Sequence, residues 1–483
     1  MRSQPTSFST LPIVLGFACL FNFFFWQEKL GVNLFLFSSL LIGFVFLTNQ
    51  KARASRQLLF TGLGSFLTAI LVLVHNSGTA KLIHLLSLFV FFGFAHLPEL
   101  RTMGNALLSS LQGYASLGRS IKREWTQFKQ FSPQLSIFSS YLKLTIVPFL
   151  VLIIFGGLFY FANAPFASLV NSLGEYIGQA FVNFSPFRIA FFLFGLLFLS
   201  GLILPHNTFG LLAKEQTKSD QLVRKKPSYK RAFSFLGLKK EYRTGMLLVG
   251  MINLLLLVNN ILDIQHVWFN FEPQSHVVLR QYVHEGTYFL IASIIFSMGI
   301  MLYFFRGNIN FLKGSRPLRI LSYAWIVQNA ILVLSVGMRN CHYIGQYGLA
   351  YKRIGVFFFL FLTLFGLFSL YLKIRDRMST FYLFKTNAWA LYATMMVLSM
   401  VNWDMAIAKF NFQHYEKTQQ LDTDFLLTLS NKSLPLLMEH QALFPVPANL
   451  AQKKADFLKE QETYSWLSWN LADAQAMKYV TRK

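Results

Sequence analysis

Eleven times this chain enters an apolar run of about 16–22 residues and leaves it through a polar or basic stretch. A helix needs about 20 mostly apolar residues to cross the roughly 30 Å hydrocarbon core of a bilayer. The pattern therefore restricts the chain to a polytopic membrane fold. Composition agrees, with 54% hydrophobic and 13% charged residues, where an average soluble domain carries about 25% charged. The predicted fold class is all-α: a transmembrane bundle of about eleven spans with a small helical C-terminal tail outside the membrane. The spans are placed at 10–26, 31–48, 58–75, 81–96, 142–163, 188–204, 245–265, 285–305, 318–338, 353–372 and 382–402.

Charge orients the bundle. The net charge is +24, but the basic residues sit in loops between spans, and no module with base-stacking aromatics accompanies them, so no nucleic-acid partner is expected. "KARASR" (51–56), the 97–141 segment, the 205–243 segment, "RGNINFLKGSRPLR" and "KIRDR" all fall on one side if the spans alternate. That side holds 28 Lys and Arg against 7 on the other, the tail excluded. Basic loops stay in the cytoplasm, which puts the N-terminus inside and the tail outside.

Four regions follow: an N-terminal four-helix membrane region (1–100), a basic amphipathic cytoplasmic segment (101–141), a seven-helix membrane core (142–404) and an extracytoplasmic tail (405–483). The core carries the basic cytoplasmic loop 205–243. Its outer connection, 164–186, has Phe166, Leu169, Val170, Leu173, Ile177, Phe181 and Phe184 at helical spacing, which predicts a helix lying in the outer interface. "RSIKREWTQFK" predicts attachment of the 101–135 segment to anionic lipid. In the tail, Asp422 is placed to cap a helix through Leu429, Pro435 opens a short one, and two more meet near Thr463. Few large apolar groups there predict a small core, docked on the membrane part through Trp466 and Trp469.

One outer loop breaks the charge rule. "MRNCHYIGQYGLAYKR" (338–353), read as a short loop between spans nine and ten, carries Arg339, His342, Lys352 and Arg353. Around it gather Asp263 and His266 at the end of span seven, Glu272, His276 and Arg280 in the next loop, His284 and Glu285 at the head of span eight, and Asp404 after span eleven. Paired charges are tolerable at such a depth where isolated ones are not. Arg339 and Arg353 suit a phosphate or carboxylate, since guanidinium binds either in a bidentate fork. Asp263 and Glu285 are the expected counter-charges, and Lys352, His342 and His284 complete the candidate ligand-binding set. A purely structural charge network locking helix ends is an equal alternative. Asn253, Asn260 and Asp263 share one face of span seven, which predicts hydrogen bonds between helices.

Other chemistries lack their motifs. There is no P-loop, no GxSxG and no HExxH, so neither a metal nor another cofactor is expected. "GLG" (62–64) and "GG" (156–157) read as helix-packing sites. Two isolated cysteines, Cys19 buried in span one and Cys341 in the basic loop, make no disulfide framework. The N-terminal run lacks a small-residue cleavage site and is read as a retained helix.

"QYVHEGTYFLIA" (281–292), "MRNCHYIGQYGLAYKR" (338–353), "NWDMAIAKFNF" (402–412), "LDTDFLLTLSNKSLPLL" (421–437) and "YSWLSWNLADAQA" (464–476) follow one another in an order and spacing that resembles a bacterial membrane-protein family of unknown function, the DUF4173 and DUF4153 families. On that resemblance Glu285, Tyr288, Arg339, Tyr343, Tyr347, Gly348, Leu349 and Arg353 occupy family-motif positions. His284 and Thr287 depart from it, standing where a basic and an aromatic residue are expected. The resemblance implies an inner-membrane protein with an outer-facing helical tail and brings no activity with it. The leading functional expectation is a carrier or sensor that binds an anionic small molecule or lipid headgroup in an outer cleft. The alternatives are an enzyme on an envelope lipid with His342 or Glu285 as general base, and a scaffold whose tail docks a partner protein.

Overall fold

The computed structural model describes residues 10–482, apart from 50–51, 132–147, 149–150, 153, 181–184, 205–209, 225–236 and 270–275, and apart from the side chains of 52, 128–131, 174–180, 276–288 and 482. Within those residues the chain is helical, and extended pairing is limited to an isolated bridge between Gln221 and Met378.

The N-terminal helices are α1 (Leu11–Phe25), α2 (Val32–Thr48), α3 (Arg56–His75) and α4 (Gly78–His96), followed by α5 (Met103–Ala115) and α6 (Leu117–Phe131). Ser55 and Ser77 cap α3 and α4 by accepting from Leu58 N and Ala80 N, satisfying donors that a helix start leaves bare. The predicted interfacial segment forms a helix, α7 (Ala164–Ala180), with Leu169 and Leu173 exposed. The α8 helix (Pro186–Ile203) returns to pack on α1, and α9 (Leu211–Gln216) is short. Then come α10 (Leu238–Asp263, prolonged by a π turn to Phe269), α11 (His276–Phe304), α12 (Arg316–Tyr347), α13 (Tyr351–Arg375) and α14 (Thr380–Ser399). The tail comprises α15 (Trp403–Thr418), α16 (Thr423–Thr428), α17 (Leu434–Glu439), α18 (Pro447–Thr463) and α19 (Leu471–Arg482).

Among the described residues, six of these helices are long and apolar enough to cross a membrane, or seven if α14 and α15, bent by 63°, count as a broken span. The expected count of about eleven is not reached. The α1 and α2 helices have 15 and 17 residues, short of a full crossing, and within 142–163 residues 142–147, 149–150 and 153 lie outside the described residues. Large apolar side chains such as Phe187, Leu255 and Phe361 are exposed along the long helices, the inverse of a soluble surface and the pattern a bilayer would cover.

Three cores organise the molecule. The first joins α1–α5 to α8 through Val14, Phe37, Phe91, Phe94, Leu199 and Leu202. The second joins α10–α13 through Val249, Met301, Trp325, Val336 and Leu370. The α14 helix bridges them: Leu383 is buried in the second core, while Trp389 stacks on Phe94 with centroids 6.1 Å apart. Gly64 makes room for the Tyr392 hydroxyl, since a Cβ there would meet it at 2.2 Å. Gly62 likewise lies against Phe46 and Phe91, whereas Gly156 and Gly157 meet nothing among the described residues.

The tail core is larger than its composition suggests, because it borrows Ile354 and Phe358 from α13 around Phe412, Leu434, Leu437 and Phe457. The Asp422 cap forms, with its carboxylate accepting from Phe425 N at 2.9 Å, and α17 has its proline in the first turn. Docking does not use the tryptophan rings, which are 65% and 48% exposed at Trp466 and Trp469. Backbone and side chains share the work: Val32 N donates to Trp469 O (2.9 Å), Lys29 N donates to Ser468 Oγ (2.8 Å), Ser468 Oγ donates to Glu28, and Leu467 is buried in the first core. The approach is so close that a Cβ on Gly31 would meet Trp469 O at 2.4 Å. Cys19 lies exposed on the surface of α1 rather than buried, and Cys341 is exposed on α12.

Candidate functional site

The stretch 338–353 is mostly not a loop. No residue before Gly348 breaks the helix, so α12 runs on through Arg339, Asn340, His342 and Tyr343 to Tyr347. Gly348, at φ +76°, ends it, a conformation glycine adopts without a Cβ penalty. The α13 helix starts at Tyr351.

Extending α12 by two turns gives its polar residues partners on α10. Asn253 Nδ2 donates to Leu321 O (3.0 Å) and Asn260 Nδ2 to Gln328 O (3.0 Å), with Gln328 Nε2 returning a bond to Asn253 Oδ1 (2.9 Å). Both carbonyl partners lie 68 residues ahead, so the two helices run parallel in a fixed register. Further along, Trp268 Nε1 donates to Ser335 Oγ (3.0 Å), and Arg339 Nη2 reaches Asp263 Oδ1 at 2.5 Å. Arg339 and Asp263 are each 6% exposed. His342 Nε2 bonds Val267 O at 3.0 Å. The shared face of Asn253, Asn260 and Asp263 is thus the α10–α12 interface, and Arg339 is committed to a buried ion pair there.

Arg353 is placed differently. Its Nη1 donates to Tyr347 O (2.8 Å) and to Gly348 O, and its guanidinium lies over the Tyr343 ring at 4.5 Å. Its backbone carbonyl accepts from Asn340 Nδ2 (2.9 Å). No ion pair to Arg353 occurs among the described residues. It lines a chamber of about 160 Å³ between the α12–α13 turn and the tail, together with Tyr347, Asn411, His414, Gln420 and Asp422. Asn411 ties the turn to α15: its Oδ1 accepts from Leu349 N (2.6 Å) and its Nδ2 donates to Leu349 O (3.0 Å). His414, one turn on, stacks on Phe410, and its Nε2 is shielded from solvent with no hydrogen-bond partner among the described residues. A buried polar atom without a partner is costly.

Asp404 belongs to the tail junction, where it accepts from Tyr351 OH and from Ser430 Oγ (2.6 Å). Lys352 is exposed on the side of α13 and does not line the chamber. Glu285, His284, His276 and Arg280 have side chains outside the described residues. The chamber residues missed in the sequence are Asn411 and His414, which lie three apart in "NFQH" and therefore share a face of α15. A second omission is His84, 2% exposed in mid-helix, where its Nε2 meets Ser38 Oγ (2.8 Å) and its Nδ1 meets Thr68 Oγ1 (3.0 Å) and Ser65 O (3.1 Å). The carbonyl can only accept, which assigns the ring proton to Nδ1.

Among the described residues no three His, Cys, Asp or Glu side chains are placed to hold a metal ion. Comparison with curated proteins and with solved structures finds no match. A family model does match, across residues 17–440. An all-helical chain with several helices able to cross a membrane, and matched over most of its length, belongs to the family defined by the domain of unknown function DUF4153.

Proposed function

We propose that this protein is a bacterial inner-membrane carrier or sensor that binds a small anionic group, a phosphate or carboxylate of a metabolite or lipid headgroup, in the Arg353 chamber beneath its C-terminal helices. The observation that carries the reading is the pairing of an arginine outside any described ion pair with the orphaned Nε2 of His414 in one cavity. About 160 Å³ corresponds to roughly five water molecules' share of liquid volume. That suits a headgroup-sized anion better than a whole drug-sized ligand, whose pockets start near 300 Å³. Guanidinium is the side chain best shaped for such oxyanions. Arg339 serves this site indirectly, by holding the end of α12 in register through Asp263.

The test is thermal stabilisation of the detergent-purified protein by inorganic phosphate and by glycerol 3-phosphate. Wild-type protein is stabilised, Arg353→Gln is not, and His414→Phe, which keeps the ring packing, responds more weakly from an unchanged starting stability. Equal responses from all three proteins, or none from the wild type, would overturn the reading.

A further inference from the structure

Two further cavities adjoin along α13 and α14. One, of about 500 Å³, is lined by Arg56, Gln57, Arg101, Phe365, Lys385 and Trp389 among others. The next, of about 450 Å³, is a groove between α13 and α14 lined by phenylalanines 357, 358, 361 and 365 on one wall and by Ala390, Ala393 and Val397 on the other. They share Phe365 and Ala390. The result is a single path with a basic mouth and an apolar barrel.

We infer that this path is a binding site for one anionic membrane phospholipid, with the headgroup phosphate at Arg56 and Arg101 and an acyl chain along the phenylalanine wall. Charge supports the orientation. Among the described residues, no acidic side chain lines the mouth. Arg56 is exposed and has no ion-pair or hydrogen-bond partner among the described residues. The Arg101 guanidinium donates to the carbonyl oxygens of Glu215 (3.3 Å) and Lys218 (2.6 Å) and lies over Phe381 at 4.7 Å, contacts that position its charge without cancelling it. Lys385 is paired with Asp220 at 2.5 Å, and the buried Glu215 accepts from Arg101 N, Thr102 Oγ1 and Asn105 Nδ2, so neither acid is available to Arg56.

Length supports it too. Lys385 and Val397 stand twelve residues apart on α14, about 18 Å at 1.5 Å per residue. One leaflet, headgroup included, is about 20 Å deep. Small side chains at Ala390 and Ala393 open the barrel, and α3 supplies Arg56 at its first turn. The lipid would therefore lie in the seam between the first core and the second, against the bridging helix α14. This inference does not depend on the Arg353 chamber, which shares no lining residue with the path.

Native mass spectrometry of the intact detergent-solubilised protein tests it, using dioleoyl phosphatidylglycerol, dioleoyl phosphatidylcholine and glycerol 3-phosphate as probes. The expected result is a first phosphatidylglycerol adduct at least ten-fold tighter than the phosphatidylcholine adduct, with no comparable uptake of glycerol 3-phosphate. Arg56→Gln weakens that adduct about five-fold, the effect of roughly one surface charge on an anionic lipid. Ala393→Phe, which fills the barrel from an exposed position, removes it while the protein remains monodisperse. Equal adducts for the two lipids, or a phosphatidylglycerol preference that survives both substitutions, would reduce the site to ordinary surrounding lipid. Tight uptake of glycerol 3-phosphate would make it a site for a soluble phosphate, and would equally overturn the proposal.

Discussion

Replacing Arg339 by methionine strands the Asp263 carboxylate between α10 and α12. The two groups meet at 2.5 Å, each is 6% exposed, and water cannot take the place of the guanidinium. Breaking a buried pair from one side costs about 3–5 kcal/mol, whereas replacing both partners by apolar groups of similar volume is close to neutral. Arg339→Met and Asp263→Leu are therefore each expected to destabilise by about 4 kcal/mol, near a thousand-fold in the unfolding equilibrium. The double variant is expected within about 2 kcal/mol of wild type. Unfolding in mixed micelles of rising SDS content, followed by tryptophan fluorescence, closes the double-mutant cycle. If each single variant stays within about 1 kcal/mol of wild type, or if the two losses simply add, the charges do not form the lock described here. Loss of anion-induced stabilisation with unchanged stability in Arg339→Met would instead make Arg339 a ligand contact.

Gly348→Ala forces a side chain into φ +76° and sets its Cβ 2.4 Å from Asn411 Oδ1; a cost of at least 1–3 kcal/mol is expected to loosen the tail, read as faster proteolysis beyond residue 403. Gly93→Ala would place a Cβ 1.9 Å from Ala106 O, backbone against backbone between α4 and α5, and is expected to abolish accumulation of monodisperse protein. Burial pushes the Lys432 ammonium, in the tail, down to about 8 from an ordinary 10.5. The folded state thus releases this proton first, so stability is penalised in full below pH 8, and the penalty fades as pH rises from 8 toward 10.5. Lys432→Met is expected to gain up to about 3 kcal/mol at pH 7 and to lose the wild-type rise in stability over that window, measured by thermal unfolding against pH. His84→Ala leaves the Ser38 and Thr68 hydroxyls with fewer partners in a dry interior and is expected to cost about 1–3 kcal/mol, where Gln in its place recovers part.

Local pattern was enough for the class of fold. Apolar runs of spanning length, the Asp422 cap and the proline-led α17 are properties of a few adjacent residues, and such properties survive whatever packs around them. The shared face of Asn253, Asn260 and Asp263 was legible for the same reason, because a helix repeats every 3.6 residues. Even the pairing of Asp263 with Arg339 followed from charge and depth. The end of α12 was not legible, since polar residues resemble a loop until their partners are known. Arg339 and His342 stay helical because α10 and its π turn run parallel beside them and offer a carboxylate and a carbonyl at matching heights, while Asn340 finds the Arg353 carbonyl on α13.

Tertiary structure alone decided which arginine of that stretch is structural and which faces a cavity. Arg339 and Arg353 look alike in sequence, yet one points into a helix interface and the other into a chamber closed by His414 from sixty residues away. The tail showed the same limit: its tryptophans advertised contact, but docking rests on the Trp469 carbonyl against Gly31 and Val32, on the Ser468 hydroxyl between Lys29 N and Glu28, and on buried Leu467. The seam holding Arg56, Arg101 and Lys385 joins α3, the α4–α5 connection and α14, and no periodicity records it. Sequence sets what each segment must bury; the mutual fit of helices determines which charges remain to bind something else.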